Sequence, residues 1–281
     1  MKSFSSQKNS TKQQKATPQN AILLLRNLYK HFIYWYAMEE ITFAQERPLY
    51  YIEELLSQKK YNVGSAGIVF GASGLGKTSL MASTAARNIE RKQKVCYVSH
   101  ELALPQFLDI LQLNLENDLR YNHYLLAVTL PIDVRYRKYY KKIALQTPVK
   151  SIQLESQYTQ FHLLDVITYL FEKEGCSLFL FDSLDDLDPF RIEEGLLDRY
   201  HMNQFTYSLM SKGVTLGFTS VYNHQIQVNT RIELKEMHER GGQLQRVAII
   251  HKGIRPAQSK EYINYQVRGT IVFDYSTARI V

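Results

Sequence analysis

Gly71-Ala72-Ser73-Gly74-Leu75-Gly76-Lys77-Thr78 meets the eight-position phosphate-loop pattern GxxxxGK[ST] at every fixed place. The pattern needs a strand before it and a helix after it. Ala66-Gly67-Ile68-Val69-Phe70 reads as a short buried strand, and Ser79 to Arg87 reads as a helix. Glycines let successive backbone N–H groups turn inward toward phosphate oxygens. The start of the helix adds its partial positive charge at the same point. Gly71 to Ser79 is therefore the expected nucleotide cradle. Lys77 is expected to reach the β- and γ-phosphates, and the Thr78 hydroxyl to hold Mg²⁺. The bland alternative is a flexible glycine turn ahead of a helix. The expected ligands are ATP and Mg²⁺.

The flanking pattern sets the fold class. After residue 60, apolar runs alternate with helical stretches. Strands are expected at Lys94 to Ser99, Leu178 to Phe181, Val214 to Thr219 and Val247 to Ile250. Helices are expected at Leu163 to Lys173 and Met202 to Lys212. Continuously apolar strands separated by helices imply an α/β fold, with a mostly parallel sheet flanked by helices on both faces. The last thirty residues alternate apolar and polar instead. Tyr262 to Val267, the turn Arg268-Gly269, and Thr270 to Phe273 predict a C-terminal antiparallel hairpin.

Ahead of the core, residues 1–20 are polar and rich in Lys, Gln and Ser, and are expected to be a disordered basic tail. Residues 21–60 predict a short helical N-terminal extension. Leu24, Leu28, Phe32 and Trp35 share one face, and a second helix resumes at Tyr50 after Pro48. Residues 61–281 form the expected catalytic domain.

Composition narrows the class. The 281 residues carry a net charge of +7 and only two cysteines, Cys96 and Cys176, both within apolar runs. Buried reduced thiols are expected, with no disulfide framework. No apolar run approaches the ~20 residues of a membrane span, so no membrane partner is expected. Ala21 to Leu25 is too short for a signal-peptide core. A cytoplasmic setting is expected.

Phe179-Leu180-Phe181-Asp182 is an apolar strand ending in a carboxylate, about a hundred residues past the phosphate loop. That is the form of the second nucleotide motif, and Asp182 is the expected Mg²⁺ partner. Ser183, not a glutamate, follows it. A glutamate lies instead just past the second strand, in Ser99-His100-Glu101-Leu102. At a strand end beside the loop, Glu101 is placed to orient and polarise an attacking water. The alternative is a helix-capping acid.

Taken in order, the phosphate loop, Val98-Ser99-His100-Glu101-Leu102, Phe181-Asp182-Ser183-Leu184 and Ile250-His251-Lys252-Gly253-Ile254-Arg255 resemble the RecA superfamily. The likeness is to its DnaB-helicase, RadA and KaiC-like branches, and it covers about residues 60–281. It implies a RecA-like P-loop ATPase with catalytic roles for Lys77 and Glu101. It also implies homo-oligomers, hexamers or filaments, with ATP at the subunit interfaces. Lys252 and Arg255 match loosely the Lys and Arg that reach a neighbour's ATP, and a solvated basic turn is the alternative. One departure stands out. Helicase-like members carry a γ-phosphate-sensing Gln after the fourth strand. Here that stretch reads Val221-Tyr222-Asn223-His224-Gln225: no Gln sits at the matching place, and Asn223, His224 and Gln225 are the candidate substitutes.

The resemblance implies ATP-driven work in DNA replication, recombination or repair. The alternatives are a KaiC-like regulatory ATPase that switches protein contacts without DNA, and a non-hydrolysing paralogue. Candidates for single-stranded DNA contact are Arg135, Arg137, Lys138 and Lys141, interleaved with tyrosines. Arg231, Lys235 and Arg240, in a loop expected over residues 222–246, are further candidates. A solvated helix face is the alternative for the first group.

Overall fold

The computed structural model describes residues 64–100, 103–115, 121–131, 148–193, 195–238, 244–252 and 260–280, together with Ile52 and Leu56. The chain divides into two compact units, residues 1–49 and 50–281, and the described residues all belong to the second. The expected tail and most of the helical extension lie outside the described residues. Ile52 and Leu56 are helical, fall four residues apart, and are buried in the core.

Ten strands form the central sheet of this unit: β1 (Ala66–Phe70), β2 (Lys94–His100), β3 (Leu125–Leu130), β4 (Lys150–Gln153), β5 (Cys176–Asp182), β8 (Thr215–Ser220), β9 (Thr230–His238), β10 (Leu244–Lys252), β11 (Glu261–Arg268) and β12 (Thr270–Ile280). Their order across the sheet is β12-β11-β10-β9-β1-β8-β5-β2-β3-β4. Two short strands, β6 (Arg191–Glu193) and β7 (Leu196–Leu197), pair as a separate ribbon. From β9 to β4 every neighbouring pair is parallel. From β9 to β12 every pair is antiparallel.

The helices are α1 (Lys77–Glu90), α2 (Ala103–Asn114), α3 (Gln160–Glu174) and α4 (Arg199–Ser211). They cover both faces of the sheet. Leu80, Met81 and Ala85 of α1 and Phe107 and Leu111 of α2 pack with Val95, Tyr97 and Leu180. Leu163 and Ile167 of α3 and Met202 and Phe205 of α4 pack with Cys96, Val98, Phe179 and Phe181. Successive strand residues thus feed opposite cores, which is why these strands read as unbroken apolar runs. Cys96 and Cys176 are buried free thiols, as expected. Among the described residues, no helix is long and apolar enough to cross a membrane.

Local chemistry sets the helix ends. Thr159 caps α3 in a reciprocal box with His162, and Gly175 ends it with a left-handed φ of 70°. The Asp198 carboxylate caps α4 by accepting the Tyr200 and His201 N–H groups, each at 3.1 Å.

The structure corrects one expectation, the loop over residues 222–246, and adds detail to two others. The run Val247 to Ile250 is a strand, but it lies antiparallel to β9. Residues 222–246 are not one loop, because Thr230 to His238 form β9 beside β1. There Thr230, Ile232 and Leu234 are buried, while Arg231, Glu233 and Lys235 lie between them. The charged alternates masked a period-2 strand. Between β2 and β5 the structure adds α2, β3 and β4, extending the parallel sheet to its far edge.

Gly71 carries the tightest constraint. Its φ is +147°, and a Cβ there would sit 2.2 Å from the Leu234 carbonyl oxygen. The phosphate loop therefore rests directly on the β9 backbone. Gly71→Ala combines left-handed strain with an immovable backbone clash. We expect it to destabilise the fold by roughly 3 kcal/mol, and thermal denaturation checks this. A melting temperature equal to wild type would show that the loop does not rest on β9 as described.

Candidate nucleotide site

The site lies at the C-terminal ends of the parallel strands, where open α/β sheets bind ligands. β1 ends at Phe70, the loop runs through Gly71 to Gly76, and α1 starts at Lys77. Gly74 and Gly76 take left-handed φ values of 81° and 93°. Two flanking elements hold the loop. The Gly71 N–H donates to the Ser220 carbonyl at the end of β8, at 3.2 Å. The Tyr265 hydroxyl of β11 donates to the Leu75 carbonyl at 2.9 Å. Val267 of β11 lies so close to Gly76 that a Cβ there would meet it at 2.8 Å. The expected hairpin thus serves as a clamp on the loop.

The Lys77 ammonium donates to the Gly71 and Ala72 carbonyls at 2.8 and 2.9 Å. Burial lowers its pKa from the usual lysine value, while the charges of Asp182 and Asp185 act in the opposite sense. The Thr78 hydroxyl donates to Asp182 Oδ2 at 2.7 Å. Asp182 ends β5, and β8 lies between β5 and β1, so β8 sets their spacing. The Tyr97 hydroxyl donates to the same oxygen at 2.9 Å, and the Thr219 hydroxyl donates to Oδ1. Tyr97 is held by stacking on Phe107, with ring centroids 3.6 Å apart and planes 12° apart. Burial, and then the Asp182 charge, push its phenol well above the usual range, so it remains a donor.

Past Asp182 the chain turns through Leu184 to Asp186. The Asp185 carboxylate accepts the Ser220 hydroxyl at 2.8 Å and the Val221 N–H at 2.7 Å, and pairs with His224 Nε2 at 2.8 Å. Burial alone would raise its pKa. The bonds from His224, Val221 and Ser220 outweigh burial and hold it below the usual carboxylate value. Asp186 accepts the Ser183 hydroxyl at 2.8 Å, and its Oδ1 lies 3.5 Å from His100 Nε2. That bond raises the His100 pKa against the opposing effect of burial.

These residues fit a magnesium nucleotide. A carboxylate and a hydroxyl meet beside a lysine and a glycine loop, and Mg²⁺ takes such hard oxygens together with substrate phosphates. Among the described residues, no group of three or more His, Cys, Asp or Glu is arranged to hold a metal by protein atoms alone. A cavity of about 430 Å³ adjoins residues 71–75, with Glu233, Lys235, Glu236 and Arg246 on its other side.

The expected site residues divide into three sets. Gly71 through Ser79 and Asp182 come together. Glu101, Arg255, Arg135, Arg137, Lys138, Lys141 and Arg240 lie outside the described residues, as does the Lys252 side chain; Lys252 itself ends β10. Arg231 and Lys235 sit on β9. Arg231 turns inward: its guanidinium donates to the His224 and Ile226 carbonyls and the Asn223 side chain, at 2.7, 2.9 and 2.8 Å. Lys235 is exposed. Sequence reasoning missed Tyr97, Thr219, Asp185 and Ser220 as parts of the site. The only local signal was the density of acids in Asp182-Ser183-Leu184-Asp185-Asp186.

The strand order, the helices on both faces and the antiparallel C-terminal strands define a RecA-like α/β fold. Among solved structures, the chain is similar to that of a KaiC-like protein from the hyperthermophilic archaeon Pyrococcus horikoshii. The identity is 15%, the TM-score is 0.52, and the match covers 79% of this chain and 94% of that one. The likeness is one of fold. No protein-family model matches the chain, and no curated protein matches it.

Proposed function

We propose that this protein is a Mg²⁺-dependent ATPase whose site is completed by a second copy of the chain. One observation carries the reading. The Thr78 hydroxyl and the Asp182 carboxylate, 104 residues apart, meet at 2.7 Å beside a lysine seated in a glycine loop. Thr78 and Asp182 would hold Mg²⁺, which neutralises developing phosphate charge when bound. Lys77 exchanges its bonds to the Gly71 and Ala72 carbonyls for phosphate oxygens. The loop N–H groups and the start of α1 orient the same phosphates. Glu101, directly after β2, is the proposed base that polarises the attacking water. Lys252 and Arg255, at and just past the end of β10, are the proposed contribution to a neighbour's site.

A regulatory output, in which ATP switches protein contacts, is favoured over DNA work by the use made of Arg231. That side chain gives its donors to three protein acceptors, so only Lys235 of the described DNA candidates is exposed. Turnover measured with and without single-stranded DNA separates the two outputs. Stimulation by DNA would favour replication, recombination or repair.

Mixing variants tests the shared site. Arg255→Ala alone should bind ATP yet fail to hydrolyse it, and Lys77→Ala alone should be inactive. Mixed, they should recover partial turnover, because an intact Arg255 then faces an intact loop. Turnover per chain should also rise with protein concentration in the wild type. No recovery, with a concentration-independent rate, would reduce the protein to a monomeric site.

A further inference from the structure

Tyr97 is a fully buried tyrosine in a core it shares with Met81, Phe107 and Leu180. A phenylalanine would fill the same space without a polar atom to satisfy. In the register of β2 and β5, Tyr97 pairs with Leu180, and Ser99 with Asp182. The phenol therefore reaches diagonally along the sheet to the end of β5. Its one proton goes to Asp182 Oδ2 at 2.9 Å. The stack on Phe107 of α2 fixes the ring in that direction.

Among the described residues, three hydroxyls donate to the Asp182 carboxylate. Thr78 and Tyr97 share Oδ2, and Thr219 takes Oδ1. A carboxylate offers about four acceptor positions, two on each oxygen. Both positions on Oδ2 are thus filled, and one is left on Oδ1. Tyr97 from β2 and Thr219 from β8 hold the two oxygens from the strands on either side of β5, so the plane of the carboxylate is pinned. Thr78 gives its proton to Asp182, which leaves the lone pairs of its own oxygen free for a cation.

We propose that Tyr97 and Thr219 are positioning residues that restrict Asp182 to one free acceptor, and that they thereby set the preference of the site for Mg²⁺ over Ca²⁺. The inference rests on the nucleotide reading above. Its basis is the difference in what the two cations accept. Mg²⁺ keeps several waters and takes a small number of protein oxygens in strict octahedral order. Ca²⁺ takes more oxygens and accepts both oxygens of one carboxylate. A bidentate grip needs Oδ1 and Oδ2 to face the cation together. Tyr97 and Thr219 prevent this, because each holds one oxygen in place. Loss of either hydroxyl returns an acceptor position to Asp182 and lets its plane turn.

The test is calorimetric titration of the full chain with the β,γ-imido analogue of ATP, once with Mg²⁺ and once with Ca²⁺. The reading is the ratio of the two dissociation constants. The wild type should favour Mg²⁺. Tyr97→Phe keeps the ring and its stack and removes the oxygen alone. It should reduce that preference by about tenfold, the lower end of the effect that partners of metal ligands have on metal affinity. Thr219→Val, of the same shape, should act in the same direction and carries the test if Tyr97→Phe does not fold. A role in packing alone would lower the melting temperature and weaken binding with both cations equally, with the ratio unmoved. Equal affinities in the wild type, or an unchanged ratio in either folded variant, would overturn the proposal and leave the nucleotide reading intact. No binding of the analogue to the wild type with either cation would overturn both.

Discussion

Lys77→Ala is expected to abolish ATP binding and turnover while leaving the fold in place. Lys77 is the cation at the centre of the loop, and charge-assisted bonds from such a donor are the strong ones. Its bonds in the protein are to the Gly71 and Ala72 carbonyls, at the surface of the loop rather than in either core. The neighbouring Leu80, Met81 and Ala82 supply the burial that anchors α1. Circular dichroism and the melting temperature should therefore stay close to wild type, while calorimetric titration with Mg²⁺-ATP shows no heat of binding. A folded variant with wild-type affinity and turnover would reject the site.

Glu101→Gln should keep ATP binding and lower turnover by roughly 10²-fold or more, the scale of a positioned general base. The amide keeps the shape of the side chain and removes its capacity to accept a proton. Asp182→Asn provides the contrast. Asp182 accepts hydroxyls from Thr78, Tyr97 and Thr219, so its loss should weaken Mg²⁺-dependent binding as well as turnover. Paired titrations and steady-state rates, with and without Mg²⁺, separate the two residues. Normal hydrolysis by Glu101→Gln would remove the base from the proposed mechanism and move Glu101 to the cap of α2.

The phosphate loop was legible because its chemistry is local. A strand end, a run of glycines with left-handed backbone and a helix start are all set by contiguous residues, so the spacing of Gly71, Gly74, Gly76, Lys77 and Thr78 suffices to place the loop. Asp182 was legible for a related reason: a carboxylate ending an apolar strand has few other uses at that distance from such a loop. The hairpin β11–β12 was read from alternation, and its turn at Arg268-Gly269-Thr270 is where the structure has it. β9 escaped because its charged alternates resemble a solvated loop, although the same alternation also describes a strand with one buried face. Leu104, Phe107, Leu108 and Leu111 carry the helical spacing of α2 and are its buried face.

From the sequence alone came the fold class, the phosphate loop and the carboxylate that meets Thr78. Each depends on contiguous residues whose types are constrained by backbone geometry or by burial on both faces of a strand. Only the tertiary structure decided that the loop rests on the β9 backbone at Leu234 and is clamped by Tyr265. Only it turned the Arg231 guanidinium onto the His224 and Ile226 carbonyls and joined Asp185 to His224 across 39 residues. Such contacts depend on strand order and register. A one-residue slip in either strand would send these side chains to the opposite face, with no change in local composition to report it.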